Sequence, residues 1–190
     1  WGRLKDLDLT LTTSVEAEEK LKNLNTNLSG ENYQLPFWEK SLSVQFRPNQ
    51  WNVLIAKTGH GKSEVLLKLA EILRQRGKKI SLVAQDPYIF NDTIERNIFL
   101  GKEESEEERE CAKSVLKILG LDYLEANLDN LMKMEVGENG KRLSGGQAKR
   151  LSLVRSIMSE ADILIWDDPF SSVDLILEKE IIQELKKHQV

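Results

Sequence analysis

Apolar and polar positions follow two rhythms along this chain. Leu42-Ser43-Val44-Gln45-Phe46 alternates, which predicts a strand with one buried face. Val53-Leu54-Ile55-Ala56 is a short unbroken apolar run, as expected of a strand buried on both faces, and Ile80 to Ala84 reads as the next buried strand. Between them Val65, Leu66, Leu69, Ile72 and Leu73 recur at helical spacing and predict a helix over Glu64 to Gln75. Strand, glycine loop, helix and strand in that order predict a right-handed crossover and a parallel sheet. From Asp86 to about Gly140 the spacing is mostly helical, with Ile94 to Phe99 and Cys111 to Leu119 as its apolar stretches. Gly145 to Met158 reads as a helix, Ile163 to Trp166 as a central strand, and Leu175 to Lys187 as a closing helix. The start of the chain is less regular. Leu7, Leu9 and Leu11 alternate within Trp1 to Ala17, a connector or edge strand, and Glu18 to Asn25 suits a strand or a short helix. Ser29-Gly30-Glu31-Asn32 and Pro48-Asn49-Gln50 are turn clusters. The whole is an α/β pattern.

Bulk properties narrow the class. The 190 residues are enough for one domain with a sizeable core. A net charge of -4 and a pI near 5.4 disfavour a general nucleic-acid binder. No apolar run approaches the roughly 20 residues that span a bilayer, and the N-terminus does not read as a signal peptide. A single cysteine, Cys111, excludes a disulfide framework and fits a reducing compartment. The acidic run Glu103 to Glu108 reads as a solvated helix start. The chain opens on Trp1 rather than Met, so it is expected to be a piece of a longer polypeptide or a processed one.

The chemistry sits at three places. The first is Thr58-Gly59-His60-Gly61-Lys62-Ser63-Glu64, between an expected strand and an expected helix. Such a turn aims backbone N–H groups and the positive helix end at one point, which favours phosphate. Lys62 would reach the β- and γ-phosphates, and the Ser63 hydroxyl suits Mg²⁺. The full phosphate-loop pattern wants Gly six residues before the lysine, where this chain has Ala56. The second place is Ile163-Leu164-Ile165-Trp166-Asp167-Asp168, an apolar run ending in paired carboxylates at what would be the C-terminal edge of a parallel sheet. Asp167 suits the metal side and Asp168 the attacking water, although Asp168 ahead of Pro169 is also a normal turn residue. The third is Leu143-Ser144-Gly145-Gly146-Gln147, a helix start with free N–H groups and one hydroxyl; Ser144 is equally a sound N-cap.

In that order, the three elements resemble the nucleotide-binding domain of an ATP-binding-cassette (ABC) protein. The stretch from Gln85 to Ile98 resembles the Gln loop of ABC exporters, and Glu135 to Gly140 resembles an exporter loop that touches the membrane domain. Ser171-Ser172-Val173-Asp174 is similar to the loop that crosses the dimer interface. With Asp168-Pro169-Phe170 it resembles the first nucleotide domain of long two-half exporters. The resemblance implies an α/β P-loop NTPase fold with a mostly parallel sheet, a small antiparallel part and an inserted helical subdomain. It implies residues 18–85 and 154–190 as the ATP-binding core, residues 86–153 as the helical subdomain, and residues 1–17 outside both.

It also implies roles. Lys62, Gln85 and Asp168 are the catalytic candidates. Thr58 to Glu64 would hold ATP, with Tyr33, or else Trp38, as the adenine-stacking aromatic. Ser63, Gln85 and Asp167 would serve Mg²⁺. Ser144, Gly145, Gly146 and Gln147 would act on ATP held by a second nucleotide domain, paired head to tail. A transmembrane domain outside this chain would attach it to the cytoplasmic face of a membrane, with export as the task and no nucleic-acid partner.

The chain departs from the family at several points. Most hydrolysing members have Glu where Asp168 stands, and Asp resembles the weakened half of asymmetric exporters, which makes an ATP-binding clamp the alternative reading. The stretch from Ser63 to Gln85 has little room for the family's antiparallel hairpin there. The family's γ-phosphate-contacting His lies beyond the closing helix. His188 comes too soon to be it, and His60 sits at a tolerant loop position. A DNA-maintenance ATPase is a third reading, which the exporter-like segments oppose.

Overall fold

A computed structural model describes residues 32–37, 40–45, 51–55, 57 and 59–187. The chain divides into two compact units, residues 1–69 and 70–190. The readings of Trp1 to Ala17, Glu18 to Asn25, Pro48 to Gln50, Trp38, Thr58 and His188 lie outside the described residues.

In the first unit, β1 (Asn32–Phe37) and β2 (Lys40–Gln45) form an antiparallel pair with Tyr33 opposite Val44 and Phe37 opposite Lys40. The alternating stretch from Leu42 supplies β2. Pro36 is tolerated in β1 because each strand of a two-stranded ribbon has an unpaired edge. The strand expected at Val53 to Ala56 is not formed over its described residues. Trp51 to Ile55 take no regular secondary structure, and Val53, Leu54 and Ile55 are exposed. An apolar run marks a segment able to be buried, but a strand also needs a neighbour's backbone groups, and no described strand pairs with it. The crossover predicted from that strand is therefore absent among the described residues.

Helix α1 (Lys62–Gln75) begins where the glycine loop ends and buries Val65, Leu69, Ala70 and Leu73 as one stripe.

The second unit carries the parallel pairing. β3 (Ile80–Val83) runs beside β4 (Ile163–Trp166), with Ile80 opposite Ile163 and Val83 opposite Trp166. The chain between them forms α2 (Ile94–Phe99), α3 (Glu106–Ile118), α4 (Leu128–Lys133) and α5 (Gly145–Ile157). After β4 comes α6 (Leu175–Lys187). The acidic run opens α3 as expected: Ser105 Oγ accepts from Glu108 N–H, and the Glu108 carboxylate accepts from Ser105 N–H at 2.7 Å, a reciprocal cap. These hydrogen bonds hold the Glu108 pKa below the usual range. Cys111 is exposed on α3.

Helix α5 lies at the centre of this unit, against α2, α3, β3 and β4. It is buried almost all round: Leu151, Leu153 and Val154, but also Lys149, Arg150, Ser152 and Ser156. Lys149, Ser152 and Ser156 find partners inside, whereas the Arg150 Nε has none among the described residues. Ser156 Oγ accepts from Ser81 Oγ at 3.0 Å and from Trp166 Nε1 at 2.9 Å, joining α5 to both strands. Apolar side chains of α3, α4, α5 and α6 complete the core, among them Leu116, Leu131, Leu153 and Ile181.

Candidate functional site

The glycine loop has the backbone that its residues permit. Gly59 and Gly61 have φ of 78° and 71°, a region open to glycine and strained for other residues. His60 N–H donates to the Lys57 carbonyl at 3.2 Å, and Val65 N–H donates to the Gly61 carbonyl at 3.0 Å as α1 starts. The Lys62 ammonium folds back onto the same Lys57 carbonyl at 3.1 Å. Ser63 and Glu64 are exposed in the first turn of α1. The loop thus pairs left-handed glycines with a helix N-terminus and a lysine at its mouth. This arrangement suits a polyphosphate. Tyr33 lies in β1.

A second group of candidates gathers at one edge of the parallel pair. Asp167 N–H donates to the Val83 carbonyl at 2.9 Å, so the pairing runs one residue past β4. Gln85, Asp167 and Asp168 therefore leave the sheet together at its C-terminal edge, where doubly wound folds bind ligands. Asp167 is buried, whereas Asp168 and Gln85 are exposed. Asp168 has φ of 48°, a left-handed backbone that Asp tolerates better than most residues.

The donors fit magnesium. Among the described residues no group of three or more His, Cys, Asp and Glu is placed to hold a metal ion. The candidates instead offer hydroxyl, amide and carboxylate oxygens, the hard donors Mg²⁺ takes alongside phosphate and water.

The third group opens α5. Ser144 is the N-cap, as its alternative reading required. Its Oγ accepts from Gln147 N–H at 3.3 Å, and Gln147 Oε1 accepts from Ser144 N–H at 2.6 Å. Gln147 Nε2 also donates to the Tyr123 hydroxyl at 2.6 Å, so this side chain is engaged within its own unit. Gly145 has open space about it. Gly146 does not: a Cβ there would stand 2.9 Å from the Ser172 carbonyl oxygen. The glycine lets α5 touch the loop that follows Asp168. Gly146→Ala is expected to cost about 1–3 kcal/mol, read by denaturant unfolding, because backbone must move to admit the methyl.

Two cations on α5, the buried Lys149 and the half-buried Arg155, escaped sequence reasoning. Lys149 donates to the Asp168 carbonyl at 3.0 Å and to Ser171 Oγ at 2.9 Å. Arg155 donates through Nε to the Asn97 carbonyl at 2.7 Å, through Nη1 to the Tyr88 carbonyl at 3.0 Å and through Nη2 to Asn97 Oδ1 at 2.8 Å. Its guanidinium also lies 5.3 Å from the Phe90 ring centroid. Asn97 itself is fully buried, accepting from Phe90 N–H and donating to the Phe90 and Thr93 carbonyls. One signal was available: α5 lacks an apolar stripe, so a helix pinned by motifs at its start had to bury some of its polar side chains.

Residues 40–171 match the family model described as ABC transporter. A lactococcin-A transport/processing ATP-binding protein of Lactococcus lactis is 29% identical, covering 90% of this chain and 27% of that protein. Human ATP-binding cassette sub-family C member 4 is 31% identical, covering 77% of this chain and 12% of its own length. Among solved structures, an ATP-bound bacterial Atm1-family ABC exporter aligns over 59% of this chain and 19% of its own, with a TM-score of 0.51 and 29% identity. The chain belongs to the ABC transporter family, with the α/β P-loop NTPase fold that this family shares. It spans about a quarter of the Lactococcus relative and about an eighth of the human one.

Proposed function

We propose that this chain is the nucleotide-binding domain of an exporter, binding MgATP and hydrolysing it slowly, with residues 86–153 as the helical subdomain on a core of 18–85 and 154–190. The observation that carries the reading is the sheet edge: Gln85, Asp167 and Asp168 leave two paired parallel strands together, in a chain whose glycine loop ends in Lys62 and Ser63.

Thr58 to Glu64 hold the phosphates, with Tyr33 beneath the base. The loop amides and Lys62 balance the charge of the transferring group, and phosphoryl transfer depends mainly on such positioning. Ser63, Gln85 and Asp167 hold Mg²⁺, which supplies further charge neutralisation when bound. Asp168 accepts the proton of the attacking water. Ser144, Gly145 and Gly146 present N–H groups and a hydroxyl to ATP held by a second nucleotide domain, head to tail. Because the Gln147 side chain is committed to Ser144 and Tyr123, its contribution there is its place in the cap.

The partner on the other side is a transmembrane domain at the cytoplasmic face of a membrane. The exposed Tyr88 and Phe90, packed edge to face 5.1 Å apart beside Asn97, support a docking surface in the exporter-like segment. No helix among the described residues is long and apolar enough to cross a membrane.

The clamp reading is favoured by one residue, Asp168, a methylene shorter than the usual Glu. The two readings separate on Asp168→Glu. Phosphate release that rises about tenfold or more marks a working but short-armed base; a change of less than twofold marks a clamp.

A further inference from the structure

We infer that Lys149 is a positioning residue that aims Asp168, and that it makes the turn at Ser144 to Gly146 and the loop from Asp168 to Ser172 move as one body. The inference rests on the ATPase reading above and deepens it.

Lysine ordinarily keeps its ammonium in water while its stem lies on the surface. Lys149 is only 4% exposed. Its ammonium reaches from the second turn of α5 to the Asp168 carbonyl at 3.0 Å and to Ser171 Oγ at 2.9 Å. These groups bracket the strained point of the loop, since Asp168 has φ of 48°. The direction of a residue's Cα–Cβ bond follows from its backbone angles, so an ammonium holding the Asp168 carbonyl also holds the bearing of its carboxylate. The contact at Gly146 is independent of this one. There the α5 backbone approaches Ser172 so closely that a Cβ would meet its carbonyl oxygen at 2.9 Å. The start of α5 thus grips the loop at both ends, at Asp168 and at Ser172.

The consequence concerns coupling. In a head-to-tail pair the start of α5 faces ATP held by the partner, whereas Asp168 faces ATP held by its own chain. A shift of α5 on engaging the partner's ATP is passed to Asp168 through Lys149, which gives the coupling a physical element. Simple anchoring of the loop predicts lost stability without a kinetic split.

The test compares Lys149→Met and Lys149→Arg in the protein at its natural length, by phosphate release, MgATP affinity and amide exchange at Ser171 and Val173. Lys149→Met is expected to lower kcat about tenfold or more with affinity within about twofold, and to speed exchange about tenfold. Lys149→Arg keeps N–H donors and should recover most of kcat. Unchanged turnover and exchange in the Met variant would overturn the assignment, as would turnover and affinity falling together. If the unsubstituted protein shows no turnover, the ATPase reading fails instead. The aiming of Asp168 then falls with it, and exchange decides only the tie between α5 and the loop: faster exchange in the Met variant supports that tie and equal rates overturn it.

Discussion

Asp168→Asn is expected to lower phosphate release from MgATP by about a hundredfold while leaving MgATP affinity within about twofold. Asn matches Asp in size and tolerates the left-handed backbone that Asp168 adopts, so the loop should keep its shape. What changes is chemical: an amide cannot accept the proton of the attacking water. General bases contribute about 10²–10⁴-fold, and the lower end applies here because Asp reaches less far than Glu, and about 1 Å of misplacement costs on the order of a hundredfold. Single-turnover phosphate release checks this, with ATP binding measured on the same variants. Equal turnover in both forms would remove Asp168 from the mechanism.

Arg155→Met carries the largest expected stability effect, a loss of about 3 kcal/mol. Methionine fills much of the same volume but cannot donate, so the Asn97 and Tyr88 carbonyls lose their guanidinium partners and Asn97 Oδ1 keeps only Phe90 N–H. Hydrogen bonds to a charged group contribute about 1.5–3 kcal/mol each, and leaving the buried Asn97 acceptors unpaired costs most of that, whereas water can reach the exposed Tyr88 carbonyl. The Phe90 ring loses its cation as well. For a chain of this size the loss corresponds to a drop in Tm of roughly 6–12 °C by thermal unfolding. Burial pushes the Arg155 pKa down from its ordinary value, yet an arginine starts so high that it stays charged, so the difference between the two proteins should not vary between pH 6 and pH 8 (a window of about two units). A loss below about 1 kcal/mol would mean that water replaces the guanidinium and that the knot around Asn97 is not structural.

The contrast between β4 and Val53 to Ile55 shows what an apolar run can reveal. Both are short and apolar, and only Ile163 to Trp166 pairs with a described neighbour, through the register that begins at Ile80. Pairing is a property of two segments, so hydrophobicity in one of them cannot declare it. Helix α6, with a single buried face, was readable from spacing over Leu175 to Lys187. Helix α5 was readable as a helix and as a motif, but not as the buried centre of its unit, because Lys149, Arg150 and Arg155 look like surface residues in composition.

The site was legible unevenly for the same reason. Glycine loops, the paired carboxylates and the Ser144 cap have local signatures, and their backbone geometry follows from residues a few positions apart. The links that hold them, Lys149 to Asp168 and Arg155 to Asn97, join residues distant in the sequence and depend on the packing of α5. The Gln147 side chain, to which the resemblance gave a role on the partner's ATP, bonds Ser144 and Tyr123 within its own unit.

Titration of MgATP into the chain and into its Lys62→Ala form, followed by calorimetry, tests the central claim most directly. The account predicts one ATP per chain and an affinity about tenfold or more weaker in the variant, since a lysine contact to phosphate is a charged hydrogen bond. Equal affinity in both forms, or no binding to either, would contradict it.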